Sequence, residues 1–116
     1  MDTVKEWMSS PAVVAGPDTT LPEARLLLAE QGIRRLPVAG RDGRLLGIIT
    51  EGDINRVSDS PAYDVREYNL YHRAADLPIA EIMTRMVVTV TPDTPVSVAA
   101  RLLLDYRIGG LPVISV

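Results

Sequence analysis

The feature that most constrains this chain is a repeat. "VKEWMSSPAVVAGPDTTLPEARLLLAEQGIRRLPVAG" and "IAEIMTRMVVTVTPDTPVSVAARLLLDYRIGGLPVIS" align without a gap at a constant offset of 75 residues. Turn residues keep register: Pro17, Asp18 and Thr19 recur as Pro92, Asp93 and Thr94. So do apolar positions, with Leu27, Leu28, Leu36 and Val38 recurring as Leu102, Leu103, Leu111 and Val113. Retention of both kinds of position in one register marks a duplicated supersecondary unit. The 116 residues suffice for two small units of this kind.

Both copies read the same way. A short amphipathic helix is expected at 2–9 and again at 78–84, followed by a brief strand, "AVVA" or "VVTV". The turns "GPDTT" and "TPDTP" lead into a helix. Thr20 and Glu23 have capping-box spacing in the first copy, and Thr94 can cap the second with Pro95 at the first helical position. Leu21, Ala24, Leu27 and Leu28 fall on one face of that helix, as do Val96, Ala99, Leu102 and Leu103. Gly32 is placed to end the first helix in a left-handed conformation. The strands "RRLPVAG" and "GGLPVIS" each contain a proline, which implies an edge position or a bulge. In the first copy "RDGR" supplies an Asp-Gly hairpin turn into "LLGIIT", and "EGDINRV" opens a second helix. In the second copy the counterpart of Gly47–Ile54 would fall at 122–129, beyond Val116, so repeat two is expected to lack its final strand and helix.

Composition excludes several chemistries. There is no cysteine, hence no disulfide framework and no thiolate nucleophile, which suits a cytoplasmic protein. The only lysine, Lys5, lies far from any glycine-rich phosphate loop, and His72 is the only histidine, too few for a zinc cluster. His72 reads as a surface residue rather than a catalytic base, and no activated nucleophile accompanies it. With a net charge of −3 and scattered arginines, no basic field points to nucleic acid. No apolar run reaches the ~18 residues that membrane insertion needs. No catalytic role is expected.

The order of strand, "PDTTLPEA" helix, "GIRRLPV" and "DGRLLGIITEGDI" resembles the CBS domain. That resemblance implies an α/β (α+β) fold of β-α-β-β-α repeats packed sheet to sheet with pseudo-two-fold symmetry, the Bateman module. It sets repeat one at 1–57, a connector at 58–77 and repeat two at 78–116. The connector holds three of the four tyrosines, which are expected to cover apolar surface. Modules of this family act as regulatory sensors of adenosine ligands: AMP, ADP, ATP, S-adenosylmethionine or NAD. The resemblance also implies a homodimer and an effector protein or domain; no catalytic cofactor is implied.

Two readings of "GIITEGDI" follow. In one, Thr50 is an N-cap and Asp53 completes its capping box, while Glu51 and Asp53 suit the positive end of the helix dipole. In the other, the same residues read a ligand. A carboxylate is an acceptor-only group that can take both hydrogens of a ribose diol, and a threonine hydroxyl can bond sugar or phosphate. The resemblance implies those roles for Thr50 and Asp53. An anionic ligand beside two carboxylates needs a compensating cation, and Arg34 or Arg35 of "GIRRLPV" can supply it. Alternation along a strand turns only one of the two toward the ligand, and the resemblance favours Arg34. Val13, Val14 and Leu36 are expected to form an apolar adenine slot whose wall Pro37 shapes. In the second copy Gly109 and Gly110 replace the arginine pair, so no second site is expected there. The alternative function is a CBS dimerisation scaffold that binds no ligand.

Overall fold

Asp42 and Gly43 create the first pairing. Gly43 takes φ +80°, the Asp42 side chain accepts from the Arg44 N–H at 3.0 Å, and the Gly40 N–H reaches the Arg44 carbonyl at 2.9 Å. The turn joins strand β1 (Arg35–Ala39) to β2 (Leu45–Thr50) as an antiparallel pair. These belong to a computed structural model that describes residues 2–10, 12–59 and 77–115. The connector expected at 58–77, with Tyr63, Tyr68, Tyr71 and His72, lies outside the described residues apart from its ends.

Pairing runs Arg35 with Thr50, Leu36 with Ile49, Pro37 with Ile48 and Val38 with Gly47, then slips by one residue at Ala39–Leu45. That slip is the bulge expected of a strand containing proline. Pro37 is tolerated because its position faces away from the ladder: its carbonyl accepts from the Ala15 N–H at 3.0 Å, on the side opposite β2. Ala15 forms only a single parallel bridge with Val38, so the strand expected at "AVVA" is reduced to one residue. Gly16 and Pro17 follow at once, and Pro17 has no N–H with which to continue a ladder.

Helix α1 (Leu21–Gln31) starts as its sequence indicates. Thr20 caps it by accepting from the Glu23 N–H at 3.4 Å, while its hydroxyl donates to the Glu23 carboxylate at 2.9 Å. It ends at Gly32, φ +62°, with the Ile33 N–H closing on the Leu28 carbonyl at 3.0 Å. Ala24 and Leu28 turn inward and meet Leu36, Val38 and Ile49 in one core with Ile54, Ile79 and Met83. Leu36, Val38, Ile49 and Ile79 are fully buried. Each fully buried aliphatic side chain of this kind contributes about 1.5–3 kcal/mol. This core lies wholly within one compact unit, Val13–Met86.

The second unit joins Met1–Ala12 to Val87–Val116. The leading segments are therefore exchanged between repeats, and the backbone shows how. In the first unit the Ile79 N–H donates to Thr19, the Ala80 N–H to Pro17, and the Leu21 N–H to Leu77. In the second unit Val4 donates to Thr94, Lys5 to Pro92, and Val96 to Asp2. Every one of these partners sits 75 positions from its counterpart, so the duplication extends to tertiary hydrogen bonds. The helices expected at 2–9 and 78–84 are only single 3-10 turns, Val4–Glu6 and Ile79–Glu81. Their N–H groups are held by the other repeat's turn, and segments this short do not sustain a helix on propensity alone.

Helix α3 (Val96–Tyr106) is the counterpart of α1, with differences. It begins one residue later than expected. Pro95 occupies the cap position, and the Thr94 hydroxyl accepts from the Thr91 N–H at 3.0 Å instead of capping the helix. The first free N–H of α3, on Val96, goes to the Asp2 carbonyl. The expected inner face of Val96, Ala99, Leu102 and Leu103 is half-buried throughout. At the far end Arg107 takes φ +53°, ψ +47°, the place Gly32 holds in the first copy. A residue with a Cβ pays about 1 kcal/mol there. "VVTV" and "GGLPVIS" meet only in a single parallel bridge, Val90 with Val113.

Candidate functional site

The strand-to-helix junction at Thr50 is a closed reciprocal box. Helix α2 (Glu51–Asp59) starts immediately after β2, and the Asp53 N–H donates to Thr50 Oγ1 at 3.0 Å. The Thr50 N–H in turn donates to Asp53 Oδ2 at 2.9 Å. The Glu51 N–H goes to the Arg34 carbonyl at 2.9 Å, tying the start of α2 to the start of β1. Among the described residues Asp53 is the one buried polar or charged side chain, at 7% exposure, and it tolerates burial because both oxygens are bonded. Oδ1 accepts from the Arg56 guanidinium, which stands one turn further along α2.

Two accepted bonds do not exhaust this carboxylate, which has about four lone-pair sites. Thr50 Oγ1, having accepted from Asp53, keeps its own hydrogen to donate. The junction therefore combines a fixed acceptor and a donor–acceptor hydroxyl in one turn, the minimum needed to grip a vicinal diol.

The sheet register sorts the other expected residues. Leu36, Val38 and Ile49 point to the core, so Arg35, Pro37, Ile48 and Thr50 share the opposite face. Arg35 stands directly across from Thr50 on that face and is half-buried. Arg34 precedes the strand with an exposed side chain, and its carbonyl serves α2. Val14 is 51% exposed between half-buried Val13 and buried Ala15. The Ala15–Val38 bridge sets Val14 beside Pro37. Val13 packs against the core, and Leu36 is wholly inside it, with no surface to offer.

The structure thus assembles Thr50, Asp53, Arg35, Pro37 and Val14 around one corner of a sheet, and turns Leu36 to the other face. Arg56 was not among the expected residues. Its spacing of three from Asp53 on a helix was the available signal.

A partly duplicated unit of helix and two-stranded sheet, with a polar corner where its second strand meets a helix, defines a class of small paired domains. The chain belongs to the CBS domain family, whose model matches residues 4–60 and 79–115. Over 112 residues it is 36% identical to a CBS domain-containing protein of Dictyostelium discoideum, covering 97% of this chain and 77% of that protein. The CBS domain pair of protein MJ0100, solved in complex with 5′-methylthioadenosine and S-adenosyl-L-methionine, is 32% identical, with a TM-score of 0.80. That match covers 99% of this chain and 82% of the solved one. CBSX2 in complex with AMP is 25% identical, with a TM-score of 0.81 over 98% of this chain and 82% of that chain. Among the described residues no helix is long and apolar enough to cross a membrane.

Proposed function

We propose that this chain is a regulatory module that binds an adenosine-containing ligand at the Thr50–Asp53 corner and passes its occupancy to an effector protein or domain. Catalysis has no part in this role. The observation that carries the reading is the register pair of Arg35 with Thr50, itself locked to the buried Asp53 carboxylate. Diol acceptor, hydroxyl and cation lie on adjoining positions of one unit. Similar CBS pairs solved with S-adenosylmethionine, methylthioadenosine and AMP support the same ligand class. In this reading Asp53 takes the ribose hydroxyls, Thr50 bonds sugar or first phosphate, and Arg35 or Arg34 balances charge. Val14 and Pro37 supply apolar wall for the base.

Isothermal titration of AMP, ADP, ATP, S-adenosylmethionine and NAD into the chain tests this. Saturable micromolar binding of at least one, with one site per chain, is the expected result. Heats at the level of dilution for all five would return Thr50 and Asp53 to the role of a helix cap.

A second reading has its own support. Every buried side-chain nitrogen and oxygen among the described residues already has a partner within the chain. A scaffold that assembles as a homodimer and binds no ligand needs nothing more from this corner.

A further inference from the structure

Arg56 is tied to the proposed ribose reader, yet it is 74% exposed while the Asp53 side chain is 8% exposed. Among the described residues its guanidinium bonds to that carboxylate alone. Between the two functional groups lies Gly52. A Cβ placed there would stand 3.6 Å from Thr50 Oγ1 and 3.8 Å from Arg56 Nη1. Apart from its neighbours along the helix, it would meet no other atom within 4 Å. The glycine thus leaves an open notch with the Thr50 hydroxyl on one side and the Arg56 guanidinium on the other.

Charge decides what suits that notch. Glu51 and Asp53 repel an anion, but Arg56 is a fixed-charge fork of five donors, of which the Asp53 contact uses few. Held by the same carboxylate that would take the ribose diol, it offers its remaining donors beside the sugar.

We infer that Arg56 makes this corner selective for nucleosides bearing a 5′-phosphate over uncharged or cationic ones. The inference rests on the adenosine reading above and adds to it the charge class of the ligand. Asp53 recognises what all adenosine ligands share; Arg56 recognises what only the nucleotides carry. A charge-assisted bond to phosphate is stronger than a neutral one and is lost with the guanidinium.

The test compares AMP, adenosine and S-adenosylmethionine by titration into the wild-type chain, Arg56→Gln and Arg56→Lys. Wild type should prefer AMP to adenosine by about tenfold or more, as expected for one charge-assisted contact. Arg56→Gln should lose most of that preference by weakening AMP, with adenosine held within about twofold, and Arg56→Lys should fall between. Thermal unfolding of Arg56→Gln should fall modestly, because the buried Asp53 carboxylate loses its cation, so every titration is run well below that midpoint. Equal losses for AMP and adenosine would make Arg56 a mere support for Asp53 and overturn the assignment. Unchanged or tighter AMP binding in Arg56→Gln would overturn it as well. A wild type that binds AMP and adenosine alike sinks the assignment alone, whereas one that binds no nucleoside sinks the adenosine reading with it.

Discussion

Gly47→Ala is expected to destabilise the fold by about 2 kcal/mol, seen as a lower urea midpoint with an unchanged slope. Gly47 faces the core from β2 opposite Val38, where a side chain would ordinarily be welcome. Here a Cβ would lie 2.6 Å from the Thr84 carbonyl oxygen, 2.8 Å from Met83 Sδ and 3.0 Å from Met83 Cγ. The thioether can swing aside. The carbonyl cannot, because the Ile48 N–H holds it at 2.9 Å and the Thr84 N–H returns a bond to Ile48 at 2.8 Å. Relieving the clash means opening this bridge, so amide exchange at Ile48 and Thr84 should accelerate together. Alanine is the better strand residue by about 0.5–1 kcal/mol, which offsets only part of the loss. A variant as stable as wild type would show that the close approach of residues 83–84 to β2 is wrong.

Asp53→Ala is expected to cost about 2 kcal/mol whether or not a ligand exists. It strips the partner from the part-buried Thr50 N–H and removes half of the reciprocal box at the start of α2. Asp53→Asn keeps an oxygen for that N–H and should lose about 1 kcal/mol or less. Denaturant unfolding should therefore rank wild type, Asn, then Ala. Equal losses for Asn and Ala would mean that the negative charge matters and the hydrogen bond does not. The pair of variants also separates folding from binding, since Asn preserves the cap while removing the charge that a ribose diol would meet.

Much of this was legible in the sequence because it is local. The Thr50–Asp53 box, the Thr20 cap, the Gly32 terminus and the Asp42–Gly43 hairpin each depend on residues within a few positions of one another. The exchange of leading segments was not legible. Val4 reaches Thr94 and Ile79 reaches Thr19 through backbone groups, which every residue carries and no side chain announces. That exchange is also why two expected helices shrink to single turns. Thr94 misled because its hydroxyl is engaged by the Thr91 N–H and hydroxyl, while the cap position that Thr20 fills in the first copy is held by Pro95, which has no side-chain acceptor. At the site, strand alternation alone separates Leu36 from Pro37 and Arg35, so placing all three in one pocket overlooked the period of two. Which side of the strand faces the core needed the burial of Val38 and Ile49 to settle.

If Asp53 reads a ribose diol, a ligand stripped of both hydroxyls must bind poorly. The most direct test is titration of AMP against 2′,3′-dideoxyadenosine 5′-monophosphate, which keeps base and phosphate and lacks both hydroxyls. The dideoxy compound should bind at least about a hundredfold more weakly to wild type, since a buried carboxylate loses two hydrogen bonds. Asp53→Asn should narrow the gap. Equal affinity of the two compounds for wild type would contradict that role and leave the Thr50–Asp53 pair as a helix cap alone.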